Sequence, residues 1–127
     1  MGRYLLDTTF IIDYLRDDPA ATATFDRMMA DGDEPFLNEI VVCEAWAGVR
    51  PGEVGPMRTM LNVPEFVQPG PDAAERAGQW RRDARARGWM LSLSDALIAA
   101  AAESCAAAIL TRNARDFALT PVRVAEY

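Results

Sequence analysis

Histidine and lysine are both missing from this chain of 127 residues, and all thirteen of its basic residues are arginines. That absence removes imidazole as a general base or metal ligand, the serine–histidine and cysteine–histidine catalytic pairs, Schiff-base chemistry and the phosphate-binding lysine of a P-loop. Cysteine is scarce as well. Cys43 and Cys105 lie in the apolar stretches VVCEAW and AESCAAA, where a reduced thiol behaves as a small hydrophobe, so both are expected in the core rather than in redox chemistry. No segment joins a basic start to a long apolar run, and the longest apolar stretch, around Ala96 to Ala102, is too short to span a bilayer. A soluble, cytoplasmic protein with no membrane association is the expectation.

Positive charge is also in deficit. Nineteen acidic residues against thirteen arginines leave a net charge of −6, which argues against binding nucleic acid through a generally basic surface. Contact with a polyanion would have to be local or assisted by bound cations. What the chain has is apolar mass: half of its residues are hydrophobic, enough for one compact domain over residues 1–127 that folds without disulfides or structural metal.

Hydrophobic patterning and turn residues give an alternating order of elements. RYLL at Arg3 to Leu6 reads as a buried strand, Asp7 as a turn, and Thr9 to Arg16 as a helix. A second helix over Ala20 to Ala30 stops at the cluster Asp31-Gly32-Asp33. Phe36 and Leu37 suggest a short strand. From Glu39 to Val49 the run EIVVCEAWAGV is apolar almost all round, the pattern of a helix buried on most sides. Met57 to Leu61 looks helical, and Glu65 to Val67 fits an edge strand. Asp72 to Arg87 is a helix with acids in its first turn and arginines near its end, capped by Gly88. Ser94 is the candidate N-cap of an alanine-rich helix reaching Ala107, followed by strands at Ile109 to Thr111 and Val122 to Val124. Strands alternating with helices imply an α/β fold with a mainly parallel sheet covered on both faces.

Four carboxylates then require an explanation. In open parallel sheets the site lies beyond the carboxyl ends of the strands, and Asp7 directly follows the first strand; a helix cap and a ligand are equally open readings for it. Glu44 is flanked by Val41, Val42, Cys43, Ala45, Trp46 and Ala47. A carboxylate buried there must be protonated, paired with an arginine or holding a cation. Asp95 sits in the first turn of the alanine-rich helix, where dipole compensation alone would account for it. Asp116 and Asn113 follow the strand at Ile109 to Thr111, where a turn held by local side-chain bonds is the plain alternative. Clustered carboxylates without histidine or thiolate suit hard, oxygen-seeking cations such as Mg2+ and Mn2+, which serve phosphate chemistry.

DTTFIID, VVCEAWAGV, SDALIAA and LTRNARDF resemble, in order and spacing, the four motifs of PIN-domain nucleases, and the resemblance covers essentially the whole chain. The short length is most similar to the toxin subunits called VapC in bacterial type II toxin–antitoxin pairs. The resemblance implies a PIN-like three-layer α/β/α sandwich with short strands. It also implies an acidic quartet of Asp7, Glu44, Asp95 and Asp116 supported by Thr9 and Asn113, and a metal-dependent endoribonuclease using Mg2+ or Mn2+ and leaving a 5′-phosphate and a 3′-hydroxyl. Asp7 and Asp95 are expected as direct metal ligands, Asp116 as a second or water-mediated ligand, and Glu44 as a ligand or the group orienting the attacking water. A homodimer and a small cognate antitoxin whose tail crosses the groove are implied partners.

For holding RNA, Arg112 and Arg115 lie nearest the expected site, and Arg82 belongs to an arginine group at positions 76, 81, 82, 85 and 87 that otherwise forms a solvated helix end. Trp46, Trp80 and Trp89 are candidates for stacking on bases, against the alternative of core or interface roles. Rival readings fit less well. A phospho-accepting receiver domain needs a lysine that is absent here, and an aspartyl-nucleophile phosphatase needs a second aspartate two places after Asp7, where Thr9 stands. A PIN-like module that binds RNA or a partner without catalysis is the non-enzymatic alternative.

Overall fold

The computed structural model describes residues 2–127. The order of elements is β1 (Arg3–Leu6), α1 (Thr8–Leu15), α2 (Pro19–Asp31), β2 (Glu34–Leu37), α3 (Glu39–Ala47), α4 (Val54–Leu61), β3 (Glu65–Phe66), α5 (Pro71–Ala86), α6 (Leu93–Ser104), β4 (Ala108–Leu110), a 3-10 turn at Ala114–Phe117, and β5 (Val124–Ala125). Every pairing in the sheet is parallel, in the order β3-β2-β1-β4-β5. The chain builds outward from β1 through β2 to β3, then returns to β1's other side with β4. The sheet therefore has its topological switch point between β1 and β4, where a parallel sheet opens a crevice beyond the strand ends.

Helices cover the sheet to make the α/β/α sandwich. α1 packs against α2, α3 and α4, while α5 packs on α6, and α6 on β1 and β4. The strands are short, and β1, β2 and β4 are buried at their carboxyl ends: Leu5, Leu6, Phe36, Leu37, Ile109 and Leu110 all lie in the core with Phe10, Ile11, Met57, Ile98 and Phe117. Continuous apolar runs such as β4, buried at all three positions, are what a sheet covered on both faces requires. Polar groups at the helix starts are used as caps. Asp18 accepts from the Ala21 amide at 3.0 Å with Pro19 at the first helical position, and Asn38 accepts from Val41 N at 3.0 Å. Gly32, at φ 72°, ends α2 in the left-handed conformation that glycine adopts without steric cost.

Several boundaries and one burial pattern differ from the sequence expectation. Ser92, not Ser94, caps α6, its hydroxyl accepting from Asp95 N at 3.1 Å. α6 ends at Ser104 rather than Ala107 because Ala106 turns to φ 55° and the chain enters β4, where Ala108 pairs with Tyr4; sheet pairing overrides alanine's helical propensity. The last strand is Val124–Ala125, one to two residues later than Val122 to Val124. α3 is not buried on most sides. Only Val41 and Ala45 are fully enclosed, and Cys43, expected in the core, is exposed, because α3 packs along one flank against α1 and α6. Cys105 is half-buried and its thiol donates to Ala101 O at 3.3 Å. No helix among the described residues is long and apolar enough to cross a membrane.

α6 is buried along much of its length. Ala96, Ala99, Ala100, Ala101 and Ala102 are all at most 2 % exposed, so their small side chains set how closely α6 approaches α5 and the sheet. Inserting methylenes into a filled core forces neighbours off their rotamers. Ala101→Leu is expected to lower stability by about 1–3 kcal/mol in urea unfolding, whereas Ala86→Leu, on the exposed end of α5, should change it by less than about 0.5 kcal/mol.

Candidate active site

Parallel pairing of β1 with β4 builds the centre of the site. Asp7, the first residue past β1, donates its amide to Leu110 O at 3.0 Å, which brings it beside Thr111, the first residue past β4. The Thr111 hydroxyl donates to Asp7 Oδ2 at 2.7 Å and accepts from the Asn113 amide at 2.9 Å. Asp7 Oδ1 accepts from Thr8 N at 2.8 Å, and Oδ2 also accepts from the Thr9 hydroxyl at 3.2 Å. Asp7 is thus the N-cap of α1. It is also a carboxylate held by three donors, 6 % exposed, and facing the crevice end of the sheet.

Glu44 enters from α3. Its Oε1 accepts from the Thr8 hydroxyl at 2.8 Å, so Thr8 links the two carboxylates, binding Asp7 through its backbone and Glu44 through its side chain. Glu44 is half-buried and, among the described residues, has no arginine partner. Asp95 enters from the first turn of α6, and Asp116 from the exposed 3-10 turn after β4.

Asp95 lies within reach of the charges of the other three acids, and Asp7 within reach of that of Glu44. Burial raises the Asp7 carboxyl above its ordinary value; bonds from Thr111, Thr8 and Thr9 pull it down, and the charge of Glu44 pushes it further up. Asp95 is raised first by burial, lowered by Ser92, and raised again by Asp116, Asp7 and Glu44. Each is a negative group desolvated beside like charges with no compensating cation. Among the described residues no three acidic or cysteine side chains close around a common point as a ready-made metal cage. The donor set still fits a hard divalent cation, since Mg2+ is ordinarily held by one or two carboxylates and keeps several waters or takes phosphate oxygens.

The supporting residues divide. Thr9 bonds Asp7 directly, while Asn113 reaches the site only through its backbone N–H, its side chain lying at the surface. Thr8 and Thr111 do more than either and were not singled out in the sequence. Thr8 had a signal, since a hydroxyl beside a strand-end aspartate can bridge to a neighbouring helix. Thr111 had none, because its partner is 104 residues away. Of the arginines, Arg112 is engaged elsewhere: it pairs with Asp18 at 2.8 Å and Asp13 at 3.5 Å and lies over the Tyr127 ring at 4.8 Å. Arg115 lines a cleft shared with Asp95 and Asp116. Arg82 sits exposed on α5, outside that cleft.

Comparison with known proteins agrees with this geometry. The chain is 32 % identical over 117 residues to Ribonuclease VapC19 of Mycobacterium tuberculosis, covering 92 % of this chain and 94 % of that one. Its fold is shared with DNA-bound VapBC from Salmonella typhimurium (TM-score 0.84, 20 % identity, 99 % of this chain and 98 % of that one). It is shared also with VapBC2 from Rickettsia felis bound to a promoter DNA fragment (TM-score 0.83, 17 % identity, 98 % of each chain). A toxin–antitoxin complex from Klebsiella pneumoniae aligns at a TM-score of 0.76 and 26 % identity over 96 % of each chain. The PIN-domain family model matches residues 4–122, and with an acidic site at the switch point of a parallel sheet, the chain belongs to the PIN-domain family.

Proposed function

We propose that this chain is a Mg2+-dependent endoribonuclease, a single PIN-like domain that acts in the cytoplasm as the toxin of a toxin–antitoxin pair, as a homodimer restrained by a small antitoxin. One observation carries the nuclease reading: four carboxylates from four elements gather at the crevice end of the sheet, and among the described residues none of them is in an ion pair. Family membership adds to it, since PIN-domain ribonucleases generally depend on divalent metal ions, and the likeness to a VapC ribonuclease over 92 % of the chain points to RNA as substrate.

Asp7 and Asp95 would hold the cation, with Asp116 at the open side of the group; Mn2+ could take the place of Mg2+. Bound there, the ion would lower the pKa of water and offset charge on the scissile phosphate. The chain's own part is positioning. Thr8, Thr9 and Thr111 fix the Asp7 carboxylate from three directions, so no side-chain reorganisation is needed when charge arrives. Glu44, held at one oxygen by Thr8 and half-exposed, keeps its other oxygen to orient a water and accept its proton. Arg115 beside Asp95 and Asp116 supplies a phosphate contact that positions the strand.

Cleavage of a structured RNA pool with Mg2+ should be abolished by EDTA and fall by at least about 100-fold in folded Asp7→Asn and Asp95→Asn variants. Persistent cleavage in EDTA or in both variants would sink the proposed site.

Stability should move the opposite way. A carboxyl raised in the folded state binds more protons there than in the unfolded chain, so the protein loses stability as pH climbs above the ordinary value of 3.8 and through the raised one. Asp7→Asn keeps the shape, and its amide can donate to the two threonine hydroxyls. In EDTA at pH 7 it is expected to have a higher urea midpoint than wild type, a gap that closes below pH 3.8. Mg2+ should raise the melting temperature of wild type and not of this variant.

Thr111→Val removes a bond that lowers the Asp7 pKa. The acid limb of the cleavage rate–pH profile should therefore shift to higher pH, with a stability loss of about 1 kcal/mol; an unmoved limb would separate Thr111 from the reacting group.

A further inference from the structure

Beside the carboxylates the surface carries a feature that neither core packing nor metal binding uses. The connection from α5 to α6 and the first residue of α6 leave Trp89 61 %, Met90 85 % and Leu93 58 % exposed, while Leu91 between them is 3 % exposed and anchors the segment in the core. Large apolar side chains grouped at the surface mark a recognition site more often than an accident. With the turn after β4, this connection forms a cleft of about 510 Å³ whose lining includes Trp89, Met90, Arg87 and Arg115 together with Asp95 and Asp116. That volume is within the about 300–1,000 Å³ range of small-molecule sites. The cleft and the acidic group therefore share two residues and form one continuous surface.

We propose that this cleft is a nucleobase subsite, in which the base next to the scissile phosphate stacks on Trp89 while Arg87 and Arg115 hold the flanking phosphates. The proposal rests on the nuclease reading and adds to it where the base goes. Three observations favour a nucleotide. First, the cleft combines an aromatic face with two arginines that form no ion pair among the described residues, the combination that single-stranded nucleic acid binds by stacking and phosphate contact. Second, Trp89 is the tryptophan left open: Trp46 has Arg58 over its ring at 5.2 Å, and Trp80, 6 % exposed, has Arg76 at 5.1 Å. Third, the segment is held in place. Trp89 N donates to Ala84 O at 2.9 Å, Arg81 Nε donates to Leu91 O at 3.0 Å, and Ser92 caps α6, so a base would meet a platform already ordered. Carboxylates inside the cleft can accept hydrogen bonds from the N–H groups of a base and are out of place at the centre of a protein interface, which is depleted in charge.

The test uses full-length protein and a short oligoribonucleotide spanning the main cut that wild type makes, with copies abasic at the position on either side of the cut. Trp89→Ala, checked for folding by circular dichroism, is expected to raise KM about tenfold with little change in kcat, and Trp89→Phe to stay within about threefold of wild type. One abasic copy should impose the same loss on wild type and no further loss on Trp89→Ala. Unchanged KM in Trp89→Ala, or losses that multiply with both abasic copies, would overturn the subsite. So would a Trp89→Ala protein that cleaves normally but changes from dimer to monomer in light scattering, because the patch would then be a protein contact. If wild type cleaves nothing, the nuclease reading fails separately. Quenching of tryptophan emission by mixed pentaribonucleotides in EDTA, lost in Trp89→Ala, would still support the subsite, and no quenching would overturn it.

Discussion

The backbone bond from Asp7 to Leu110, and the parallel register of β1 and β4 that it extends, is the constraint from which the site follows. It sets two strand ends side by side at the switch point, so that residues 104 positions apart in the chain meet at 2.7 Å. Once Thr111 is beside Asp7, the turn after β4 must leave from the same edge and bring Asp116 with it, while α6, packed on β1 and β4, brings Asp95. Slipping either strand by one residue would turn Asp7 or Thr111 toward the opposite face of the sheet. The apolar packing of Leu5, Leu6, Ile109 and Leu110 therefore determines the chemistry as well as the fold.

The same arrangement is electrostatically costly. In a chain with net charge −6, placing four carboxylates within coulombic reach works against folding, and burial of Asp7 and Asp95 adds desolvation to repulsion. The threonine hydroxyls offset part of this at Asp7. They do so without neutralising it, which an arginine would do at the expense of the site's attraction for cations. Sites that work by electrostatics ordinarily hold such uncompensated charge and rely on the surrounding packing for stability.

Arginine is distributed in keeping with that division. Arg3, Arg16, Arg76 and Arg112 are committed to carboxylates at the periphery, the last bridging Asp13 and Asp18 over the Tyr127 ring. Those around the open cleft, Arg87 and Arg115, are not. An acidic protein can thus place unpaired arginines beside its acidic site, where a polyanion would enter.

Much of this was legible in the residues alone. Alternating apolar runs and turn residues determined the order of strands and helices, since local periodicity records which side of an element is buried. The four acids were visible as carboxylates at strand exits or on an apolar helix. The absence of histidine and lysine had already confined the chemistry to carboxylates and a cation. Contacts between distant segments were beyond reach, because they depend on register and packing angle rather than on any local pattern. Thr8 and Thr111 emerged as the groups that orient Asp7 and Glu44 only once β1, β4 and α3 were placed. Packing likewise put Cys43 on the surface, because α3 uses one flank only, and drew Arg112 away toward Asp13 and Asp18. Of three tryptophans that sequence could not tell apart, the turn at Gly88 and the anchoring of Leu91 left Trp89 facing solvent beside the acids. Composition and periodicity determined which groups are present and on which elements; the pairing of strands remote in sequence decided which of them meet.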